Sequence, residues 1–190
     1  GDKGKNPVIN QYINYGNVGN QGPSEIGKSS ILPTSNAGKR IRVDFVLVAN
    51  DQEVGCGKIK PPDTTFQLLE EDRARTAETL KRQLHVRIMK CKDTKEFKTF
   101  GMVFNGFDIE LYIMVFDPEN TNPYNFYVIE ILKLPSSPQL YTNVEKIIEN
   151  ILRFKASIVS SLTKEADILK PYIYHNCTHL FKPTIAFKND

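Results

Sequence analysis

The feature that most limits the possible folds of this chain is a long helical pattern that has strand patterns before and after it. Between residues 64 and 91 one set of positions recurs every three or four residues, which is the spacing of one face of an α-helix. The members of this stripe are Phe66, Leu69, Arg73, Ala77, Leu80, Leu84 and Ile88. Thr64 or Thr65 can cap its start, because a threonine hydroxyl accepts a hydrogen bond from the first turn. The pattern predicts a helix of about seven turns.

Two strand patterns precede this helix. Apolar side chains occupy the odd positions from 41 to 49, and such period-two alternation predicts a strand. A polar Asn-Asp-Gln-Glu sequence then turns the chain into a second strand. That strand ends at Pro61 and Pro62, because proline cannot donate to the hydrogen-bond ladder of a sheet. A β-hairpin is therefore expected before the helix.

Three more strand patterns and a second helical pattern follow. The strand sequences are KTFGMVF, DIELYIMVF and YNFYVIEILKL, and the Asn105-Gly106 dipeptide suits a tight turn between the first two. Residues 139–162 then carry apolar side chains at helical spacing. The order of elements predicts a mixed α/β (α+β) fold, in which two long helices flank a central mixed β-sheet.

Composition divides the chain into three parts. Residues 1–38 form an arm rich in Asn, Gly, Ser, Gln and Pro, which has too few apolar residues for a core of its own. Residues 39–164 hold the predicted α/β domain, and residues 165–190 are a C-terminal extension. The scattered apolar residues of the arm could pair with the edge of another sheet, which makes the arm a candidate contact in a homo-oligomer. The alternative is a flexible tail.

Bulk composition places few limits on function. The net charge of +3 permits nucleic-acid binding without arguing for it, because that function requires clustered charge. No apolar run reaches the roughly 18 to 20 residues that span a bilayer, so no membrane partner is expected. The chain has 3 cysteines at unrelated spacings, which favours a reducing compartment. We therefore expect an intracellular protein, in the cytoplasm or nucleus.

The most distinctive polar residues lie in the predicted hairpin. Asp44 is a carboxylate within an otherwise apolar strand segment, where its charge is costly unless it is paired or bound to a cation. Lys58 and Lys60 are two residues apart in the second strand and therefore share a face. A hairpin loop centred on Asp51 pairs Asp44 with Lys58. A loop centred on the next residue pairs Asp44 with Lys60, whereas a two-residue loop turns Asp44 away from both. An odd-numbered loop is therefore expected if these residues meet.

This arrangement resembles a known superfamily. An Asp on the first strand of a hairpin, an acid-x-Lys triplet on the second and a following helix resemble the PD-(D/E)XK nucleases. The stretch RVDFVLVANDQEVGCGKIKPP is also similar to uncharacterised proteins of Mucorales fungi that carry GCGEIKPP-like strings. The resemblance implies a restriction-endonuclease-like core and a phosphodiesterase that depends on Mg²⁺ or Mn²⁺. It makes Asp44 a metal ligand and Lys60 the catalytic group that stabilises negative charge or positions the attacking water.

The sequence departs from this pattern at residue 58. A second metal-binding acid is expected there, whereas this chain has Lys58, whose ammonium group repels a divalent cation. Glu53 could move into place through a β-bulge, or Glu70 or Glu71 on the following helix could supply the missing metal ligand. Alternatively the domain is a pseudoenzyme that keeps the fold for binding. A cross-strand ion pair between Asp44 and a lysine would explain the same residues with no chemistry at all.

Basic residues on the long helix extend the nuclease hypothesis. If it holds, part of this helix would contact the phosphates of DNA or RNA, with an affinity that depends on salt and not on sequence. The candidate nucleic-acid-binding residues are Arg73, Arg75, Lys81 and Arg82. The ordinary interpretation of such residues is a solvated helix face. The alternative function is a non-catalytic α/β interaction module that self-associates through its N-terminal arm.

Overall fold

The computed structural model describes residues 43–164, 169–173 and 177–183. Over these residues the chain forms five strands and two α-helices. In chain order they are β1 (Phe45–Ala49), β2 (Gln52–Lys60), α1 (Phe66–Lys90), β3 (Lys98–Asn105), β4 (Asp108–Phe116), β5 (Tyr124–Lys133) and α2 (Val144–Ser160). Short 3-10 helices occupy Thr94–Glu96, Pro138–Asn143 and Thr178–Leu180.

The strands form one mixed sheet in the order β1-β2-β3-β4-β5. β2 and β3 are parallel, whereas the other neighbouring pairs are antiparallel. A parallel pair needs a long crossover connection, and α1 supplies it. This architecture confirms the predicted mixed α+β class and the order of its elements.

Helix α1 covers one face of the sheet. Thr65 caps its start, with its hydroxyl accepting a hydrogen bond from the backbone N–H of Leu68 at 3.4 Å. The apolar members of the predicted stripe from Leu69 to Ile88 pack against side chains of β2, β3, β4 and β5, whereas Phe66 at its start is 75% exposed. The buried members of this core include Leu80, Leu84, Ile88, Cys56, Val103, Tyr112 and Phe126. Burial of this stripe stabilises α1 as a single continuous helix, because most helical stability in proteins comes from packing of the apolar face.

Helix α2 lies against the opposite face. Its Ile147 and Phe154 pack with Phe100, Ile109 and Leu132 of the sheet in a second core. The helix begins at Val144 and not at residue 139, because the six residues before it form a 3-10 helix. The buried residues of α2 are Ile147 and Phe154, although apolar side chains cover a wider arc of the helix.

The hairpin between β1 and β2 differs from the expected one. Its turn contains two residues, Asn50 and Asp51, whose φ angles of 49° and 57° are those of a tight hairpin turn. The prediction of an odd-numbered loop is therefore wrong. A β-bulge at Val54 nevertheless adds one residue to β2 and shifts the register by one. Phe45 consequently lies opposite Gly57, which is the register that a loop centred on Asp51 would have given.

The predicted arm, residues 1–38, lies outside the described residues, and so does its predicted role in a homo-oligomer. Described parts of the C-terminal extension pack onto the domain. The backbone N–H of Ile173 donates to the Cys91 carbonyl at 3.3 Å, and the Phe181 ring stacks on His85 with centroids 4.4 Å apart. Within the described ranges, no helix combines the length and hydropathy needed to cross a membrane.

Candidate functional site

Asp44 immediately precedes β1 and lies beside the end of β2. Its backbone N–H donates to the Gly57 carbonyl at 2.9 Å, which continues the antiparallel ladder by one residue. In its side chain, Oδ2 accepts a hydrogen bond from the Ile59 N–H at 2.7 Å. The other oxygen, Oδ1, lies 3.9 Å from the Nζ of Lys58. Both carboxylate oxygens therefore lie next to donors from β2.

The two partners of this ion pair differ in exposure. The side chain of Lys58 is 9% exposed, whereas that of Asp44 is 42% exposed. A buried ammonium group is costly to desolvate, and a nearby carboxylate offsets part of that cost. The bulge at Val54 is therefore consequential, because it places Asp44 on the same face as Lys58.

Lys60 turns to a different carboxylate. Its Nζ lies 2.7 Å from Oδ2 of Asp72 in α1, and the Asp72 side chain is only 2% exposed. Arg75 approaches the other oxygen of Asp72, at 3.9 Å. Asp72 was not predicted from the sequence as a partner of Lys60, although its position beside the apolar stripe of α1 places it on the face that meets the sheet. Lys60 therefore connects β2 to the first half of α1.

A second polar cluster lies deeper between α1 and β4. The guanidinium of Arg73 bonds to both carboxylate oxygens of Glu110, with Nε donating at 2.8 Å, and also bonds to Glu70. The hydroxyl of Tyr112 donates to Glu110 as well. Hydrogen bonding to Glu110 raises the pKa of Arg73, and burial followed by the Glu110 charge raises the pKa of Tyr112. Glu110 was also missed, yet it stands between Ile109 and Leu111 as an acid in an apolar strand.

The carboxylates proposed as metal ligands do not share one centre. Asp44 contacts Lys58, whereas Glu70 is bound to Arg73 and Glu71 lies 3.5 Å from a guanidinium nitrogen of Arg75. Over the described part of the chain, no group of three or more His, Cys, Asp or Glu side chains could hold a metal ion. Mg²⁺ and Mn²⁺ need several oxygen ligands, and an ammonium group offers none. The side chains beside Asp44 therefore do not fit either cation.

Glu53 does not replace the missing ligand either. Its carboxylate accepts a hydrogen bond from the Gln83 side chain at 3.1 Å, near the start of β2. Lys58 lies five residue steps further along the extended strand, which is a distance of roughly 16 Å. The bulge in β2 shifts the register but does not bring Glu53 to Asp44.

The basic residues of α1 are not the open cationic row that the helix sequence suggested. Lys81 and Arg82 are both buried, and burial lowers the pKa of each. The Nζ of Lys81 donates to the Pro183 carbonyl at 2.8 Å, so the C-terminal extension covers this part of the helix. Arg73 is held by two carboxylates, and Arg75 is only partly exposed beside its own acidic neighbours. Phosphate contacts through these four residues would require most of them to leave their present partners.

No family model, no curated protein and no solved structure matches the chain. Any function assigned to the chain therefore rests on the geometry of its own residues.

Proposed function

We propose that this chain is a non-catalytic α+β interaction domain that resembles PD-(D/E)XK nucleases in arrangement and holds an ion pair where a nuclease would hold its metal. One observation carries the proposal: the Nζ of Lys58 lies 3.9 Å from Oδ1 of Asp44, at the position expected for a second acidic ligand. The second oxygen of Asp44 is occupied by the backbone N–H of Ile59.

The chemistry of the ion pair explains why it would not cleave phosphodiesters. A divalent metal lowers the pKa of bound water and stabilises charge on the phosphate, and both effects require vacant coordination positions on the ion. An ammonium group supplies one positive charge and no coordination positions. Lys58 would therefore neutralise Asp44 without generating a nucleophile, and the domain would act through the surfaces that it presents to partners.

A second candidate function is an inactivated nuclease-like site that still binds nucleic acid. The register favours it, because Asp44 and Lys58 are opposed across the hairpin and Lys60 follows on the same face of β2. Restoring an acid at residue 58 would place two carboxylates side by side, with a lysine two positions further on. The site would then differ from the nuclease pattern by a single residue, Lys58 in place of an acid.

A cleavage assay tests both candidates. Single- and double-stranded DNA and RNA would be incubated with Mg²⁺ or Mn²⁺ and with the unmodified chain, Asp44→Ala or Lys58→Glu. The proposal predicts that neither the unmodified chain nor Asp44→Ala cleaves any substrate. Cleavage by the unmodified chain that disappears in Asp44→Ala would refute it. Cleavage gained only in Lys58→Glu would establish the second candidate.

Binding is measured separately from cleavage. Fluorescence anisotropy with labelled DNA and RNA at low and moderate salt detects phosphate contacts, because these weaken steeply as salt rises. The interaction-domain proposal predicts no salt-dependent binding, since Lys81 and Arg82 are buried and Arg73 is bound to acids. Salt-dependent binding by the unmodified chain would favour the second candidate.

A further inference from the structure

The outward face of α2 carries apolar side chains that no described element covers. The helix packs on the sheet through Ile147 and Phe154, which are buried. Beside this buried face Ile148, Leu152 and Val159 are 52%, 57% and 57% exposed. A surface helix ordinarily has one apolar stripe, which faces the core. Helix α2 has a second apolar stripe beside the buried one, and this second stripe is exposed.

The second stripe has heptad spacing. Its members within α2 are Glu145, Ile148, Leu152, Lys155 and Val159, and Tyr141 of the preceding 3-10 helix continues the same spacing in the sequence. The steps between them alternate between four and three residues, as do the contact positions of paired helices. All of these side chains are exposed. The spacing therefore fits a seam against another helix.

The stripe is also symmetric about residue 150. Positions equally far from that residue carry complementary side chains: Ile148 with Leu152, Glu145 with Lys155, and Tyr141 with Val159. When two identical helices pair antiparallel about a two-fold axis, each such position meets its counterpart in the partner. The apolar pairs would meet at the centre and at the ends, and an opposite-charge pair would lie between them.

We propose that a second copy of this chain docks antiparallel on this stripe, so that α2 forms a symmetric dimer. Each Glu145 would then face Lys155 of the partner, and each Ile148 would contact Leu152 of the partner. A parallel pair would instead bring Glu145 against Glu145 and Lys155 against Lys155, which like-charge repulsion disfavours. The charges thus favour the antiparallel over the parallel arrangement of two copies.

The size of the contact indicates a weak, reversible dimer. A helix of 17 residues is about 26 Å long, and one helix pair buries less surface than a standard interface between proteins. We expect a dissociation constant on the order of 10 µM. The inference rests on the proposed function in one respect: it names the partner of the interaction domain as the chain itself.

Analytical ultracentrifugation of the full chain tests the dimer. The unmodified chain should change from monomer to dimer between about 1 and 500 µM. Glu145→Lys and Lys155→Glu should each weaken the dimer about tenfold or more, because two attractive pairs become repulsive. An equimolar mixture of these two variants should dimerise like the unmodified chain, since each introduced charge meets its opposite. Lys146→Glu, an equal charge change on α2 outside the stripe, should have little effect.

Two results would overturn the proposal. A monomer at all concentrations would show that a second copy does not cover the stripe. A dimer that Glu145→Lys, Lys155→Glu and Leu152→Glu all leave unchanged would place the interface elsewhere. Circular dichroism of each variant checks folding, which these exposed positions should preserve. Nuclease activity in a chain that still dimerises would refute the proposed function alone, and an inactive monomer would refute only the dimer.

Discussion

Lys60 of β2 and Asp72 of α1 form an ion pair of 2.7 Å that joins the end of the first hairpin to the crossover helix. The carboxylate is buried, so it depends on its cationic neighbours to offset its desolvation. The ammonium group of Lys60 is partly exposed and retains some contact with water. Removal of Lys60 and removal of Asp72 should therefore lower the stability of the protein by different amounts.

The first prediction concerns this asymmetry. Lys60→Met leaves the buried carboxylate of Asp72 without its closest cation, and we expect it to lower the free energy of unfolding by about 2 kcal/mol. Asp72→Asn leaves only a partly exposed lysine and should cost about 1 kcal/mol. Urea unfolding measures both. The exposed Glu149–Arg153 pair of α2 is the control, and Glu149→Gln should cost less than about 0.5 kcal/mol. Equal losses of stability in Lys60→Met and Asp72→Asn would contradict the prediction.

A second prediction concerns Glu110, which holds both Arg73 and Tyr112. Glu110→Gln removes the charge that the Arg73 guanidinium bonds to through two of its nitrogens, and we expect a loss of about 2 to 3 kcal/mol of stability. Glu130→Gln is the matched control, because Glu130 is an exposed acid on the neighbouring strand β5. Chemical denaturation of both variants should show little change for the control. If Glu110→Gln were equally mild, the cluster would not stabilise the packing of α1 on β4.

The third prediction is a pH dependence. His85 is buried against the Tyr124 hydroxyl and the Phe181 ring, and burial, followed by the charges of Lys81 and Arg82, lowers its pKa from 6.5 to about 3. Below pH 6.5 the unfolded chain therefore binds a proton that the folded chain does not. The contribution of His85 to the free energy of unfolding is fully present above pH 6.5. It declines as the pH falls toward 3, by about 2 kcal/mol between pH 7 and 5.

Unfolding free energies measured across this range test the assignment to His85. His85→Phe should flatten the decline, because it removes the titrating group while keeping a ring against Phe181. His179→Phe, at an exposed histidine, should leave the slope unchanged. If the free energy of unfolding of His85→Phe still declined with falling pH as in the unmodified chain, the pH dependence would belong to other groups.

The fourth prediction concerns the close approach of β2 and β3. A Cβ atom at Gly55 would lie 1.9 Å from the backbone oxygen of Phe100, which cannot move without displacing the strand. Gly55→Ala should therefore cost about 3 kcal/mol or more. At Gly101 the nearest atom lies at 2.9 Å and is a terminal carbon of Leu80, so Gly101→Ala should be milder. Thermal unfolding compares the two variants, and a reversed order would contradict the strand spacing.

Much of the fold could be predicted because it follows from local patterns. The apolar stripe of α1 has the period of a helix, and from Leu69 onward the core buries its apolar positions. The register of the hairpin could not be predicted in the same way. It depends on a bulge at Val54, which compensates for a two-residue turn and has no clear signal in the sequence.

The partners of the charged residues were also beyond prediction. Lys60 and Asp72 are brought together by the crossover of α1 over β2, so their contact depends on tertiary packing and not on spacing. The burial of Lys81 has a similar origin, because the carbonyl that it meets belongs to Pro183, far along the chain. A long-range contact of this kind turns a helix residue with the pattern of a solvated face into a buried one.

We propose that Lys58 neutralises Asp44 at the position of a second acidic metal ligand, and Mn²⁺ binding tests this proposal most directly. Electron paramagnetic resonance of free Mn²⁺ would be recorded during titration with the unmodified chain and with Asp44→Asn. Our account predicts that the two proteins give the same titration, with no Mn²⁺ site that depends on Asp44. A site present in the unmodified chain and lost in Asp44→Asn would contradict it.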